Sequence, residues 1–179
     1  LKTTIHPVTC RNEVDAIVDL AGTIWHEHYD PIIGPQQVDY MLGQFQSHAA
    51  ISAQIAQGYF YHYARTADLV TGYLATIIEP GTDSLLISKI YVEQAARGQG
   101  IGGMLLDTAE VLGNSHGIAS LRLTVNRRNT DSIDWYSRKG FVITGEVDAD
   151  NIGRASCRER VYISVVAVSL KKFFFFLEE

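Results

Sequence analysis

The stretch EQAARGQGIGGMLL, residues 93–106, decides how the chain is read, because two phosphate-binding patterns overlap in it. Gly98, Gly100 and Gly103 satisfy G-x-G-x-x-G, the fingerprint of a loop that cradles a dinucleotide pyrophosphate. Arg97, Gly100 and Gly102 satisfy R-x-x-G-x-G, which holds a different pyrophosphate. In both registers the glycines remove side chains, so that backbone N–H groups at a helix start can face an anion.

The surroundings separate the two. A dinucleotide fold opens with strand, loop and helix, and needs a carboxylate about 20 residues later for the ribose. Here the loop lies mid-chain, and residues 119–124 read ASLRLT, with no carboxylate. A nucleoside-triphosphate loop fails as well, because no Gly-Lys-Ser/Thr follows the glycines.

On the N-terminal side, TTIHPV (3–8) reads as a strand. RNEVDAIVDLAGTIWHEHY (11–29) has apolar residues at a helical period, with an end expected at Asp30-Pro31. PQQVDYMLGQFQ (35–46) and AAISAQIAQ (49–57) read as two further helices. The period then changes to that of strands over 59–66 and 69–80, a hairpin by pattern, and over the apolar run SLLISKIYV (84–92), expected to be central. After the glycine loop come a helix (100–116), a strand (119–125), a helix (129–139) with Asn129 near its cap, and a strand (141–147). That order predicts an α/β (α+β) fold, an antiparallel-dominated sheet with helices on its faces.

From Leu85 to Phe141 the chain resembles an N-acetyltransferase of the GNAT superfamily. The match lies in KIYV, in ARGQGIGGMLL, in LRLTV, and in Asn129, Ser132, Trp135, Tyr136, Gly140 and Phe141 of N-x-x-S-I-x-W-Y-x-x-x-G-F. The N-terminal half, including TIWHEHYDPIIG (23–34), is similar to the branch holding spermidine/spermine-type (polyamine) acetyltransferases. The resemblance implies a mixed, mostly antiparallel sheet of six to seven strands with splayed central strands. It implies acetyl-CoA as co-substrate, held by Ile90, Tyr91, Val92, Arg97, Gly98, Gln99, Gly100, Ile101, Gly102, Gly103, Asn129 and Ser132. Tyr136 is the implied catalytic acid for the leaving thiolate, and a backbone N–H near Val92 the implied oxyanion donor.

Acetyl transfer from a thioester to an amine needs a neutral amine, a stabilised oxyanion and a proton for the thiolate. Some relatives carry a glutamate on the strand before the loop, where this chain has Ser88 and Lys89. Glu79, Glu27, His26, His28 and a water chain remain open as the base. Trp25, Glu27, His28, Tyr29 and Asp30 are the expected acceptor-binding residues, with Tyr40 able to help enclose an alkyl amine. A plain helix end with mixed exposure is the other reading of that cluster. His26 and His28 lie two apart and face different ways on a helix, so no metal is expected; His62 and His116 read as structural.

Hydrophobic residues make up 46% of the 179 and charged ones 20%, the proportions of an ordinary single soluble domain. The net charge of −5, without a basic patch, argues against nucleic acid and favours a cationic partner. No apolar run is long enough for a membrane span, no signal peptide opens the chain, and Cys10 and Cys157 form no disulfide framework. A cytoplasmic protein acting on a small amine is expected, and a homodimer is left open.

Residues 152–179 differ in character. GRASCRERV (153–161) resembles one translated frame of a sequencing adapter, and KKFFFF (171–176) looks like homopolymer codons. The expected organisation is one domain over 1–151 and a non-native tail over 152–179 replacing the last strand. The other reading is a genuine strand at YISVVAV (162–168), rich in β-branched residues. Without the tail's five basic and three acidic residues the net charge is −7.

Overall fold

The computed structural model describes residues 2–126, 128–148 and 162–169, with 146–148 and 162–169 described by backbone alone. In chain order these form β1 (Thr3–Pro7), α1 (Arg11–Ile33), α2 (Pro35–Phe45), α3 (His48–Ala56), β2 (Phe60–Thr66), β3 (Leu69–Ile78) and β4 (Ser84–Val92). A short 3₁₀ turn over Gln94–Ala96 leads into α4 (Ile101–Ser115), β5 (Ser120–Asn126), α5 (Thr130–Arg138), β6 (Val142–Asp148) and β7 (Tyr162–Ser169).

The strands form one seven-stranded sheet in the order β1-β2-β3-β4-β5-β7-β6, with β4 in the middle. Only β4 and β5 run parallel; the other pairs are antiparallel. Side-chain alternation divides the sheet into two cores. Leu74, Leu85, Ile87, Leu121 and Leu123 meet Ile101, Leu105, Leu106 and Ala109 of α4 on one face. Tyr61, Tyr63, Tyr73 and Ala75 meet Val14, Ile17, Ala21, Ile24 and Trp25 of α1, Val38 of α2 and Ile51 of α3 on the other.

One expectation is corrected. Helix α1 does not end at Asp30-Pro31 but runs through Pro31 to Ile33, closed by Gly34, whose N–H bonds to Asp30 O. The proline removes one donor in the final turn, a small loss for a 23-residue helix. Asp30 stays helical because His26, four residues earlier, holds its carboxylate at 3.0 Å from Nδ1. The helix starts on a side-chain cap: Glu13 accepts from Thr9 N (2.6 Å), Cys10 N (3.0 Å) and the Tyr63 hydroxyl (3.0 Å).

β7 lies between β5 and β6, in the place of the last strand, and a strand there is compatible with both readings of the 152–179 segment. The rest of the 152–179 segment, Cys157 included, is outside the described residues.

The ladder is interrupted at Ala64/Arg65 in β2, at Ile143/Gly145 in β6, and where the site is built. The β4–β5 ladder covers only Ser84–Ile87 against Ser120–Leu123. Its closed end is pinned by Ser84 Oγ and Ser120 Oγ at 2.9 Å, by Ala119 N donating to Asp83 (3.0 Å), and by Arg122 on Glu79 (2.9 Å). Past Leu123, β5 continues against β7, while β4 stays with β3, so the two central strands separate. A bulge sits at the point of separation: Thr76 opposes Ile87 and Ala75 opposes Lys89, leaving Ser88 unmatched. Bulges bend a strand and add twist.

Gly72 lies beside the separated segment, opposite Val92. A Cβ there would stand 2.9 Å from Tyr91 O and 3.3 Å from Leu105 Cδ1. Gly72→Ala should therefore cost about 1–3 kcal/mol through overpacking, read as a lowered thermal midpoint. The hydrogen bonds to Glu13 hold its carboxyl at about 2 against an ordinary 4.5, the Thr9 N–H being the largest cause. Its folded value is depressed, so its contribution is complete above the unfolded value and disappears as pH falls from about 4.5 to about 2. The stability difference between wild type and Glu13→Gln, followed by denaturant melts, should shrink across that window.

Candidate active site

Among the described residues, separation of β4 from β5 leaves one edge of Ile90, Tyr91 and Val92 without a strand partner, while their other edge pairs with Leu74, Tyr73 and Gly72. An extended ligand can take that edge as an added strand would. Val92 O is engaged by Arg97 Nε at 3.1 Å, which folds the arginine back over the strand end and brings its charge to the loop.

Gly98 (φ 77°) and Gly100 (φ 80°, ψ 0°) have left-handed backbones, which turn the chain abruptly into α4. Gln99 between them donates to Ala95 O at 3.5 Å. No side chain caps α4 and its first turn carries no acidic residue; the first helical bond recorded at its start is Met104 N to Gly100 O (3.1 Å). The first-turn amides therefore point out of the helix, with the positive end of its dipole behind them. That arrangement fits a pyrophosphate.

The other two glycines have a second job. A Cβ on Gly102 would stand 3.3 Å from the Trp135 ring and 3.9 Å from Val92 Cγ2; one on Gly103 would stand 3.3 Å from Lys139 Nζ. Trp135 and Lys139, one turn apart along the α5 side, thus lie against the first turn of α4, with Nζ 5.9 Å from the indole centre. Ile101 is core, 1% exposed. Asn129 caps α5, its Oδ1 accepting from Ser132 N at 3.2 Å. Tyr136 is buried between Trp135 and Phe141, at centroid distances of 5.0 and 5.5 Å. Burial raises its hydroxyl above the ordinary 10, so at neutral pH it is a donor.

The opposite face of β4 is aromatic. Trp25 packs on Tyr29 (5.0 Å) and Tyr91 (6.3 Å), and Tyr73 on Tyr91 (5.3 Å). Burial keeps Tyr29, Tyr61, Tyr73 and Tyr91 protonated by raising each hydroxyl. The structure divides the WHEHYD cluster. Trp25 and Tyr29 turn inward, whereas Glu27 and His28 are exposed. Asp30 is held by His26, whose Nε2 also lies 3.3 Å from Asp39 of α2. Tyr40 is 54% exposed. Glu79 pairs with Arg122 at the closed end of β4–β5, roughly 20 Å along the strands from Tyr91. Among the described residues no group of three His, Cys, Asp or Glu side chains could hold a metal.

Sequence reasoning passed over Trp135 and Lys139 as neighbours of the glycines, and over Lys89, Gln54 and Tyr61. One signal was available for Lys89: it is the single charge in the apolar run SLLISKIYV.

An acetyltransferase (GNAT) domain model matches residues 29–169. The peptidyl-lysine N-acetyltransferase YjaB of Salmonella typhimurium is 34% identical over 68 residues, 38% of this chain and 43% of that protein. The match thus spans less than half the length of this curated relative. The coenzyme A complex of the PaiA N-acetyltransferase from Thermoplasma acidophilum has a similar structure, with a TM-score of 0.78 at 16% identity, covering 94% of this chain and 99% of that one. The ribosomal-protein-S18-alanine N-acetyltransferase of Escherichia coli superposes with a TM-score of 0.68 at 16% identity over 94% of each chain. The chain belongs to the acetyltransferase (GNAT) domain family.

Proposed function

We propose that the protein transfers the acetyl group of acetyl-CoA to the primary amine of a small molecule, by direct attack in a ternary complex. The observation that carries this reading is the opening of β4 from β5 at Ile90–Val92, with a different chemistry on each side. On one side stand the outward amides of the glycine turn, Arg97 and the buried Tyr136 hydroxyl. On the other stands the aromatic group Trp25, Tyr29, Tyr73 and Tyr91. A thioester lying along the free edge of β4 meets an amine arriving from the aromatic side.

The amine nitrogen attacks the carbonyl carbon and loses a proton to solvent, the C–S bond breaks, and the thiolate is stabilised and protonated. In this reading the Val92 N–H region receives the oxyanion. Tyr136 donates a hydrogen bond to sulfur; because burial holds its proton tightly, the hydroxyl acts by stabilising the thiolate. Buried aromatic walls also disfavour an ammonium relative to a neutral amine, which helps where β4 carries no carboxylate.

A polyamine-like acceptor is supported by the net charge of −5. It is weakened by the exposure of Glu27 and by the engagement of Asp30 with His26. A second reading, transfer to a peptide lysine or N-terminus, is favoured by the peptidyl-lysine acetylation for which the Salmonella relative is named. A non-catalytic acyl-CoA-binding domain is the third.

Free coenzyme A release should be followed with a diamine, a monoamine, an aminocarboxylate and a lysine peptide. Turnover of the small amines with a much slower peptide is the expected result; binding of coenzyme A with no turnover on any of them would remove the enzyme reading. Tyr136→Phe should lower kcat by roughly 10- to 100-fold, the worth of one hydrogen bond to a charged atom, with coenzyme A affinity nearly unchanged. Equal kcat would dismiss Tyr136.

A further inference from the structure

Lys89 is the one charged side chain of β4, and the bulge at Ser88 turns it onto the face of α1, α2 and α3. It is 8% exposed. Ala75 is its cross-strand partner and Tyr61 is the partner of Ala75, so the three form a row across β4, β3 and β2. The small Ala75 lets the lysine reach over it. Nζ donates to the Tyr61 hydroxyl and to Gln54 Oε1 of α3, and lies 5.2 Å from the Tyr61 ring centre. Tyr61 in turn donates to Gln54 (2.6 Å).

Every one of these partners is neutral. Among the described residues no carboxylate forms an ion pair with Lys89. A buried ammonium is normally compensated, and one that is not projects a field into its surroundings. Tyr91, two residues along the same face, is about 7 Å away along the strand and belongs to the aromatic side of the opening.

We propose that Lys89 is the specificity-determining residue of the acceptor side: its uncompensated charge, held behind the aromatic lining by Gln54 and Tyr61, selects an acceptor whose primary amine is accompanied by a carboxylate and rejects one carrying a second cation. This rests on the small-amine reading above and narrows it. The charge acts through its field. It draws in the carboxylate, repels a second ammonium, and lowers the proton affinity of the amine about to attack. Desolvation brings Lys89 down to about 8, so it is charged at pH 7 and loses that charge as pH rises through that value. The groups facing it are the protonated Tyr61 and the neutral Gln54.

Three acceptors of matched length test this: 4-aminobutanoate, butylamine and 1,4-diaminobutane. Their binding to the coenzyme A-saturated protein is measured by calorimetry at pH 7, with turnover measured in parallel. Affinity should fall in that order by about tenfold per step, the scale of one charge pair at such a separation in a partly desolvated site. Lys89→Met should bring the three within about twofold of one another; Lys89→Glu should reverse the order, and Lys89→Arg should keep it. Wild type alone gives a second reading that needs no refolded variant. The ratio for 4-aminobutanoate over butylamine, whose amines titrate alike, should narrow between pH 7 and pH 9. No binding of the aminocarboxylate, a preference for the diamine, or an order that ignores both the substitutions and pH overturns the proposal. Binding in the expected order without acetyl transfer supports the proposal and overturns the transfer reading instead.

Discussion

The parallel contact between β4 and β5 is tied at one end by Ser84–Ser120, Asp83–Ala119 and Glu79–Arg122, and stops after Ile87–Leu123. Everything the site needs follows from that half-made ladder. A complete parallel pair would consume the backbone groups of Ile90–Val92 and close the sheet between its two cores. Because β5 pairs with β7 along its whole length, the cost of leaving β4 open falls on only one edge of a few residues. The bulge at Ser88 supplies the bend, and β3 keeps the opened segment in place from the other side.

The glycine stretch is constrained twice over, by different physics at different positions. Gly98 and Gly100 are required by backbone conformation, since both lie at positive φ. Gly102 is constrained by packing, since the Trp135 ring of α5 lies against the first turn of α4, whereas Gly103 meets only the flexible end of Lys139. The same contact sets α5, and with it Tyr136, relative to the amide-rich turn. A substitution at Gly102 would therefore disturb the amide-rich turn and the placement of the tyrosine together.

The acceptor side inverts the usual economy of a core. Three buried tyrosines (Tyr61, Tyr63 and Tyr73), the half-buried Tyr29 and Tyr91, and a buried lysine replace aliphatic residues there, and the tyrosine hydroxyls stay protonated because ionisation in that setting is unfavourable. Part of the outer ring of acidic and imidazole groups is tied up locally: His26 sits between Asp30 and Asp39, bracing α1 on α2, while Glu27 and His28 are exposed. What faces the opening is thus aromatic and neutral, with Lys89 as the charge behind it.

Much of this was legible in the chain. The spacing of Arg97, Gly98, Gly100 and Gly102, followed by Asn129 and Tyr136, determined the family, the glycine turn into α4 and the order of strands and helices, because those features depend on local conformation and period. The helix end at Pro31 was misread, since a long packed helix tolerates a proline that a local rule treats as a stop. The direction in which Lys89 points was not legible at all. Strict alternation along SLLISKIYV puts it on the face of Leu85 and Ile87, and only the bulge at Ser88 sends it to the other. Likewise the exposure of Glu27, the engagement of Asp30 and the fit of Trp135 on Gly102 were set by which helix packs where. Local backbone preferences are written residue by residue in the sequence, whereas a strand's register and the face a side chain takes are fixed by pairing between distant segments, which only the assembled sheet decides.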